Sequence, residues 1–421
     1  MITISNPYIE KKGDKAYLIS KIKDEKRSLE SDLWFSVDEE YKDYLCDDYA
    51  DCFLVCLLLI AIKTEQDIKV EAPVSRKILF NIQNTMIPLF MNIFTPPTSK
   101  VIKIIAEAKD DILYKAKGVG CGCSLGVDSL SSFLKHWGDN VMDGYKVTHL
   151  TLFNSGQLGD YDLDGVEENF CKSVKELKPF SEAVNLPVVA INSNLNSFYR
   201  YSGVSLLQSF VNRTVCCALA LQKLFGKYVY ASSYTIKQFN FSTVDQSHME
   251  AAYAPLFSTE NMELILSNPM FSRVEKTDYI SKSPLTPRFL QVCWAEQTAL
   301  EVWHNTTFLE GKTKKNCGWC DKCLRTLLTL EVLGCDLDEY GGQFELSKYY
   351  EHRDKYIEKV FKEYKSNIFY EEMVELMISR NFPISSKVRR IYRWTLTKER
   401  IMTLIKKVIG KVINRFRLLF K

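Results

Sequence analysis

A short turn of small and polar residues is the stretch of this sequence best suited to bind an anion. Residues 124–129, with the sequence SLGVDS, follow an apolar run, Ile112 to Cys123, and precede a helix-like run, Leu130 to Trp137. A strand, a tight turn and a helix start together present free backbone N–H groups and the positive end of the helix dipole to a phosphate. The serine hydroxyls add donors, the glycine lets the backbone come close to a ligand, and the aspartate suits a divalent cation that bridges phosphate oxygens. The alternative is an ordinary strand-to-helix turn capped by Asp128 or Ser129.

A group of closely spaced cysteines is the second chemical feature. Cys317, Cys320 and Cys323 have the spacing C-x2-C-x2-C, and Cys293 lies 24 residues before the first of them. Three thiolates on a turn can converge on one ion, and a fourth completes the tetrahedral shell that zinc prefers. We therefore expect a structural zinc site. An iron–sulfur cluster, or buried thiols that only pack, are the alternatives.

Together, the turn and the cysteines resemble the PP-loop ATP pyrophosphatase superfamily, whose turn has the pattern Ser-Gly-Gly-x-Asp-Ser. Within it, the combination is similar to the 7-cyano-7-deazaguanine synthase branch, in which a lone cysteine and a later C-x2-C-x2-C group bind zinc. The resemblance extends from about Val119 to Leu333 and includes the segments HMEAAYAPLFSTE, RVEKTDYI and NCGWCDKCLRTLLTLEVLG. The chain departs from the pattern at Leu125, which stands where the family has its first glycine. A branched side chain there costs free energy if the backbone needs a positive φ.

The resemblance implies a nucleotide-binding fold, the cleavage of ATP to AMP and pyrophosphate with Mg²⁺, and a bound Zn²⁺. The implied zinc ligands are Cys293, Cys317, Cys320 and Cys323. The loop after the second strand meets the adenosine of ATP in this superfamily, and residues 154–156 occupy that place. The residues expected to contact ATP are Ser124, Leu125, Gly126, Val127, Asp128, Ser129, Asn154 and Ser232.

Two further segments carry side chains that suit catalysis. His248 lies in a long polar and aromatic stretch, Gln238 to Glu260, and a loop of this length in a compact domain is often functional. Arg273 and Lys276, in the segment SRVEKT, suit the neutralisation of charge on a departing pyrophosphate. We therefore predict Asp128, Lys276 and His248 as the catalytic residues.

Each of these candidates has a structural alternative. His248 could be a structural histidine, and the segment SRVEKT could be a solvated helix start. Asn154 and Ser232 could belong to plain turns at strand ends. We expect Arg213 and Lys223, on a helix-like run, to be solvated.

The order of segments between residues 113 and 336 predicts the α/β class. Strand and helix patterns alternate there, which is typical of a parallel sheet covered on both faces. In such a sheet a ligand lies at the carboxyl ends of the strands, so residues 124–129, Asn154 to Gln157 and Ser232 to Tyr234 should line one crevice. The predicted strands are Gly118–Cys123, Val147–Phe153, Pro187–Ile191 and Tyr228–Ser232, and the predicted helices are Ser129–Trp137, Val166–Ala183 and Ser205–Phe225.

Shifts of composition divide the chain into three predicted domains. Residues 1–112 mix alternating segments with an apolar helix-like run, Asp47 to Lys63, which is typical of an α+β domain. Residues 113–336 would form the PP-loop domain with its zinc knuckle, and a helix from Leu324 to Leu333 would end at a glycine. Residues 337–421 would be a helical region that ends in a basic tail.

The composition is that of a globular chain with material for two or three cores. Of its 421 residues, 46% are hydrophobic and 25% are charged. The longest apolar run, Phe53 to Ile62, is too short to span a bilayer, and Met1 to Asp14 lacks the pattern of a signal peptide. Thirteen cysteines without such a signal indicate reduced thiols in the cytoplasm.

The C-terminal end is strongly basic. From Lys387 to Lys421 there are 12 Lys or Arg residues and one Glu, a net charge of +11, so the rest of the chain carries −8 of the total +3. Between Lys398 and Phe420 the pattern predicts a basic amphipathic helix of about 22 residues, roughly 33 Å long. Such a helix suits the anionic inner face of a membrane or a protein partner, while nucleic acid and packing within the chain are alternatives. Its apolar positions are Ile401, Leu404, Ile405, Val408, Val412, Phe416 and Leu419.

These features predict an ATP-dependent ligase or an amidotransferase-like enzyme. A carboxylate or carbonyl oxygen of a small-molecule acceptor attacks the α-phosphorus of ATP, pyrophosphate leaves, and the nitrogen of ammonia or an amine displaces AMP. One alternative is a sulfur-transferring tRNA thiolase relative, for which Cys216 and Cys217 are poor candidates in an apolar helix. Another, favoured by Leu125, is a nucleotide-binding component with reduced turnover in a defence or surface-polysaccharide system. The acceptor and the oligomeric state, a homo-oligomer included, stay open at this point.

Overall fold

The computed structural model of this protein describes residues 1–157, 165–293, 314–398 and 409. The chain divides into two compact units, each of which buries its own apolar side chains. The first unit contains Met1–Ser272 and Phe289–Glu310, and the second contains Arg273–Arg288 and Gly311–Lys421.

The first unit begins with antiparallel strands that share a buried face. Leu18 of the third strand and Leu33 and Phe35 of the fourth are fully buried, at the two-residue spacing of a strand with one face on a core. The strands are β1 (Ile2–Ile4), β2 (Tyr8–Lys12), β3 (Lys15–Asp24) and β4 (Leu29–Asp38).

Helix α1 (Asp51–Thr64) is enclosed by protein. All of its residues from Asp51 to Ile62 are buried, which explains why its sequence is apolar on every side. The carboxylate of Asp51 accepts hydrogen bonds from the backbone N–H and the hydroxyl of Ser75 at 2.8 and 2.6 Å, so its charge is used within the fold. The elements that follow are β5 (Ile68–Val70), β6 (Val74–Ser75), α2 (Arg76–Asn81), α3 (Ile87–Phe94), β7 (Ile104–Ile105) and β8 (Ala108–Lys109).

A parallel sheet forms the second half of the first unit. Its strands are β9 (Gly118–Gly122), β10 (His149–Phe153), β11 (Val188–Ser193), β12 (Phe225–Ala231) and β13 (Glu263–Ser267). Their order across the sheet is β13-β12-β9-β10-β11, and each neighbouring pair is parallel. The first of these strands thus lies between the second and the fourth, as in doubly wound α/β folds. The helices that follow these strands are α4 (Val127–Lys135), α5 (Val166–Val184), α6 (Leu195–Tyr201), α7 (Leu206–Leu219) and α8 (Glu250–Tyr253).

Among the described residues, the parallel and antiparallel parts belong to one sheet of eleven strands. Strand β11 pairs with β4 in the antiparallel direction, and the order continues through β3, β1, β5 and β7, while β2 pairs with β3. The predicted boundary between residues 112 and 113 therefore falls inside one compact unit. Independent folding of residues 1–112 stays a prediction.

The second unit is helical in its described residues. Its helices are α9 (Arg273–Ser281), α10 (Leu285–Phe289), α11 (Asp321–Leu333), α12 (Leu346–Glu363), α13 (Ile368–Ser379) and α14 (386–398). Helix α11 packs against α9, α12 and α13, and it ends at Gly334 with φ 85°. Of the predicted amphipathic tail, only Lys398 and Ile409 are described, and the rest lies outside the described residues.

The α/β class is confirmed, because the structure is a mixture of helices with a large and mostly parallel central sheet. One predicted helix is too long. The expected helix Ser205–Phe225 ends at Leu219 in α7, and Phe225 begins β12. Apolar residues fill a buried helix and a central strand alike, so periodicity did not mark the change. In the described parts of the chain, no helix is both long and apolar enough to cross a membrane.

Candidate functional site

The turn between β9 and α4 has a left-handed residue at its second position. The N–H of Cys123 donates to the carbonyl of Thr151 at 2.9 Å, which continues the pairing of β9 with β10. Leu125 then has φ 58°, a conformation that favours glycine. Its side chain is only 5% exposed, and its carbonyl accepts a 2.9 Å hydrogen bond from the N–H of Gln291. A leucine in this conformation costs about 1–2 kcal/mol, which these contacts offset.

The start of α4 presents backbone N–H groups without an N-cap side chain. Gly126 is the N-cap residue, so no side chain at this position accepts the first free N–H groups of the helix. The expected alternative, a turn capped by Asp128 or Ser129, is therefore not the observed geometry. A Cβ at Gly126 would lie 3.5 Å from Ser124 Oγ and 3.6 Å from the carbonyl oxygen of Gln291, which are ordinary contacts. The fold itself thus leaves room for a side chain at this position.

The two serines of the turn bond to each other and to the backbone. Ser124 Oγ donates to Ser129 Oγ at 3.1 Å, and Ser129 Oγ donates to the carbonyl of Gly126 at 3.2 Å. Ser124 is exposed, Ser129 is buried and Asp128 is half-buried in the first turn of α4. The turn therefore keeps one exposed hydroxyl and one accessible carboxylate beside the helix N-terminus.

The residues after the neighbouring strands lie at the same edge of the sheet, because the strands are parallel. After β10, Asn154 is 1% exposed and its Nδ2 donates to Asn192 Oδ1 at 2.7 Å. Asn154 Oδ1 is buried without a hydrogen-bond partner among the described residues. After β12, Ser232 is buried and its N–H donates to the carbonyl of Ser267 at 3.1 Å. The register supports a common crevice, and contact of Asn154 and Ser232 with a ligand stays a prediction.

A second strand-end asparagine lies against helix α4. Asn268 follows β13 with φ 54°, and its Nδ2 donates to Ser131 Oγ at 2.8 Å. Its Oδ1 is also buried and has no partner in the part of the chain that the structure describes. Unpartnered amide oxygens therefore occur at the carboxyl ends of both β10 and β13, on either side of β9. Buried polar atoms of this kind call for a ligand, a water or another explanation.

His248 lies in a short 3₁₀ helix, Gln246–Met249, within the stretch that the sequence predicted as a long loop. Its ring stacks on that of Tyr234, with centroids 3.8 Å apart and an interplanar angle of 17°. The hydroxyl of Tyr234 donates to Asp245 Oδ2 at 3.2 Å, while His248 Nδ1 is buried without a partner among the described residues. The histidine is thereby tied to the segment after β12, and its catalytic part stays a prediction.

Arg213 is a residue whose importance sequence reasoning missed. The expectation of a solvated arginine is wrong, because Arg213 is 1% exposed in α7. Its guanidinium donates to the carbonyl of Ser155 at 3.2 Å and to Asn196 Oδ1, and it lies 4.0 Å from the ring centre of Tyr199. A side chain at Gly156, which has φ 107°, would collide with it. Arg213 therefore positions the loop after β10, and only its place in an otherwise apolar run hinted at this.

Lys223 also differs from the expectation of a solvated side chain. Its Nζ pairs with carboxylates of Asp47 and Asp48 at 2.7 and 2.8 Å. These aspartates precede α1, so the lysine joins two segments of the first unit that are far apart in sequence. Lys223 therefore has a structural role in the part of the chain that the structure describes.

Lys276 and Arg273 lie on α9 in the second unit. Lys276 is fully buried, so a solvated helix start does not describe it. Glu372 Oε2 accepts the backbone N–H groups of Arg273 and Val274 at 3.0 and 3.4 Å, which satisfies the start of the helix. The guanidinium of Arg273 lies 5.4 Å from the ring centre of Phe369. The catalytic part of Lys276 stays a prediction.

The four predicted metal ligands lie together. The sulfur atoms of Cys293, Cys317, Cys320 and Cys323 are all within 4.8 Å of one another. Those of Cys317 and Cys323 are 3.9 Å apart, close to the roughly 3.8 Å that two sulfurs have when each lies about 2.3 Å from a tetrahedral zinc. The cluster can therefore hold a metal ion such as zinc.

The backbone around these cysteines is shaped for convergence. Gly318 has φ 80°, and a side chain there would collide with the carbonyl oxygen of Glu345. The N–H of Cys320 donates to Cys317 Sγ at 3.3 Å, as is common where a thiolate is held in a turn. Cys323 lies in the first turn of α11 and is fully buried, so the helix fixes the third ligand.

Burial makes Cys121, Cys123 and Cys216 poor nucleophiles. Burial raises the pKa of Cys121 to about 12 and the pKa of Cys123 well above its usual range. Burial likewise raises the pKa of Cys216 well above its usual range. A thiol of this kind stays protonated near neutral pH and reacts slowly.

The described residues thus include an uncapped helix start after a left-handed turn, buried amides at strand ends, and a cluster of four cysteines. The chain matches no protein-family model, and neither a curated protein nor a solved structure is significantly similar to it. Any function proposed for this protein therefore rests on the geometry and the chemistry of these residues.

Proposed function

We propose that this protein belongs to the PP-loop ATP pyrophosphatases and uses ATP to adenylate a carboxylate or carbonyl oxygen. The acceptor oxygen attacks the α-phosphorus, and the bond between the α-phosphorus and the bridging oxygen breaks to release pyrophosphate. An ammonia or amine nitrogen then attacks the activated carbon, and AMP leaves as the nitrogen loses a proton to water. The chain mainly positions the reactants and stabilises developing charge.

The left-handed backbone of Leu125 is the observation that carries this proposal. A non-glycine residue keeps such a conformation only where the surroundings enforce it, and such positions cluster at functional sites. This one lies directly before the uncapped N-terminus of α4. It also follows β9, next to the point where the strand order reverses between β9 and β12, where ligands bind in doubly wound folds.

Different residues in and near the turn would contact different parts of MgATP. The N–H groups of α4 donate to phosphate oxygens. The hydroxyls of Ser124 and Ser129 would do the same by exchanging the hydrogen bonds that they now donate within the turn. The half-buried carboxylate of Asp128 suits Mg²⁺, which prefers oxygen ligands and commonly keeps substrate phosphates in its shell. Asp128 would hold this ion, whose charge neutralises the phosphates. Asn154 Oδ1 accepts from a donor on the nucleoside side of the ligand.

We assign the cysteine cluster a structural zinc. Four thiolates fill the tetrahedral shell and leave no position open for a substrate, which is typical of structural sites. Cys317 and Cys323 are fully buried, as expected for ligands that stabilise a fold. The zinc holds the start of α11 in place and takes no part in the chemical steps.

A second candidate is a protein that binds ATP with little turnover. The bulky side chain of Leu125 favours it, because the strained backbone stiffens a turn that must adjust as pyrophosphate leaves. Such a component would sense nucleotide within a defence or surface-polysaccharide system. The sulfur-transferring alternative is disfavoured by the raised pKa values of Cys121, Cys123 and Cys216.

The test compares ATP binding by wild type, Gly126→Ala and the double variant Asp128→Ala/Ser129→Ala. The fold leaves room for a Cβ at Gly126, so Gly126→Ala should fold normally and bind ATP at least tenfold more weakly, because the methyl group occupies the phosphate space. Gly341→Ala is the matched control, since a Cβ there also meets only an ordinary contact, at 3.5 Å. Equal affinity of all four proteins for ATP would refute the proposal.

Pyrophosphate release separates the two candidates. The enzyme should release pyrophosphate from MgATP in the presence of a suitable carboxylate and ammonia, at a rate that Asp128→Ala abolishes. ATP binding without release across a panel of carboxylic acids would favour the nucleotide-binding component. Calorimetry and a coupled pyrophosphate assay provide the two measurements.

A further inference from the structure

Helix α14 is attached to the second unit through one of its faces. Val388 is 2% exposed, and the ring of Tyr392 contacts those of Phe361 and Tyr364 with centroids 5.6 and 6.0 Å apart. At the start of the helix, Lys387 Nζ pairs with Glu358 Oε2 at 2.7 Å. This face is therefore used for packing on α12 and its C-terminal end.

The other face of α14 combines arginines with an exposed tryptophan. Arg389, Arg390 and Arg393 are exposed, and no ion pair among the described residues includes them. Trp394, which lies beside Arg393 and one turn after Arg390, is 71% exposed. An exposed tryptophan often marks an interaction surface, because it carries a large apolar surface and one polar N–H. Positive charge around such a side chain is the pattern of a surface that meets anions and apolar groups together.

The sequence beyond α14 continues this pattern. In a helix, residues seven, eleven and fourteen positions apart lie on the same face. At these distances after Trp394 the sequence has Ile401, Ile405 and Val408. Further steps of three or four residues reach Val412, Phe416 and Leu419. Trp394 is thus the first member of the apolar stripe that the sequence predicts for the tail. Residues 387–421, which include this stripe and most of α14, hold the +11 net charge, while the rest of the chain is acidic overall.

We infer that the outer face of α14, formed by Arg389, Arg390, Arg393 and Trp394, binds the surface of a bilayer with anionic headgroups. Guanidinium groups pair with lipid phosphates, and tryptophan prefers the boundary between headgroups and acyl chains. A basic helix with one apolar stripe lies in the plane of such a surface. A nucleic-acid site would match the charge but would leave the apolar stripe without a partner. The inference does not depend on the nucleotide site.

The test is co-sedimentation of the full chain with two kinds of vesicle, one of phosphatidylglycerol and phosphatidylcholine in equal parts, the other of phosphatidylcholine alone. We expect binding to the anionic vesicles only, and weaker binding as salt is added. The variant Arg389→Ala/Arg390→Ala/Arg393→Ala should bind about 100-fold more weakly, because each basic residue near an anionic surface contributes about fivefold. Trp394→Ala should bind about tenfold more weakly through the loss of apolar contact.

A triple variant on another helix serves as the control for the loss of three positive charges. Lys172, Lys175 and Lys178 are exposed on α5, so Lys172→Ala/Lys175→Ala/Lys178→Ala removes the same charge and should leave vesicle binding unchanged. Unchanged thermal unfolding of each variant shows that the fold is retained. Equal binding to both vesicles, no binding to either, or an equal loss in the two triple variants would overturn the inference. So would DNA binding without vesicle binding, which would assign the face to nucleic acid.

Discussion

The turn before α4 and the turn before α11 place the same backbone conformation on different residues. In each, the second residue is left-handed, with φ 58° at Leu125 and φ 80° at Gly318. At Gly318 a side chain would collide with the carbonyl of Glu345, whereas the Leu125 side chain packs in the interior and is 5% exposed. Glycine is therefore required in the cysteine turn and replaceable in the other. A departure from a sequence pattern can leave the geometry of a turn intact when the new side chain has a place to pack.

Removal of the metal should have the largest effect and should be confined to the cysteine turn. We expect Cys323→Ser to abolish stoichiometric zinc and to unfold the second unit, because a structural zinc contributes about 10–16 kcal/mol of apparent binding free energy. Cys335→Ser is the matched control, since Cys335 lies just after α11 and outside the ligand cluster. Metal analysis and calorimetry measure the result. A Cys323→Ser protein that keeps its zinc and its melting temperature would contradict the assignment.

A side chain at Gly318 should break the cysteine turn without touching a ligand. Gly318→Ala combines a left-handed backbone with a collision against Glu345, so we expect a loss of more than about 3 kcal/mol in the free energy of unfolding and weaker zinc binding. Gly334→Ala has the same strain, φ 85°, but open space around the Cβ, and it should cost only about 1–2 kcal/mol. Urea unfolding compares the two. Equal losses of unfolding free energy in Gly318→Ala and Gly334→Ala would show that the collision with Glu345 does not affect stability.

A buried thiol beside the turn before α4 should make the stability of the protein fall at alkaline pH. Burial raises the pKa of Cys121, on β9 before the turn to α4, from 9.0 to about 12. The neutral thiol stabilises the fold fully below about pH 9, and this stabilisation is lost as pH rises from about 9 to 12. Between pH 8 and 10, wild type should lose about 1.4 kcal/mol that Cys121→Ala does not lose. Urea unfolding at both pH values checks this, with Cys171→Ala as the control because the Cys171 side chain is exposed on α5. Parallel losses in wild type and Cys121→Ala would contradict it.

A glycine at position 125, in the turn before α4, should have the smallest effect. Leu125→Gly relieves about 1–2 kcal/mol of backbone strain and removes about 2 kcal/mol of apolar burial, so stability should fall by no more than about 1 kcal/mol. ATP affinity should be equal or higher, because the N–H groups of α4 remain in place. Asn185→Gly is the control for strain alone, since Asn185 has φ 53° at the end of α5. A tenfold loss of ATP affinity in Leu125→Gly would mean that the leucine itself contributes to the site.

Much of the parallel sheet could be predicted, because its signals are local. Short apolar runs bounded by turns marked β9 to β12, and the glycine at 334 marked the end of α11. The convergence of Cys317, Cys320 and Cys323 followed from their spacing, since three thiols on one turn can meet at one ion, whereas Cys293 was implied by the resemblance. The stretch from Gln238 to Glu260 was harder. Its short helices, such as α8, are held by contacts like that of Glu250 with the N–H of Ser233 at 2.5 Å, which no periodicity reveals.

Arg213 and Trp394 show the limit of sequence reasoning for single side chains. The first was expected in water and is buried, where it holds the loop after β10 through the carbonyl of Ser155. The second is exposed among arginines, while Val388 and Tyr392 on the opposite face of the same helix pack inward. A helix pattern states which residues share a face, but the partner that covers a face is set by elements distant in sequence.

The sequence by itself determined the local features of this protein: the strand-turn-helix around residues 124–129, the alternation of strands and helices, and the spacing of the cysteines. These local features depend on the backbone preferences of single residues and on the spacing of residues that are close together in the sequence. Only the tertiary structure decided that β11 pairs with β4 through Asn192 and Ser193, so that two halves share one sheet. It also decided that Leu125 adopts a glycine-like φ, since a buried site for its side chain and a hydrogen bond from Gln291 stabilise that backbone. Such contacts join residues more than a hundred positions apart, and their free energy appears only when the chain has closed those loops.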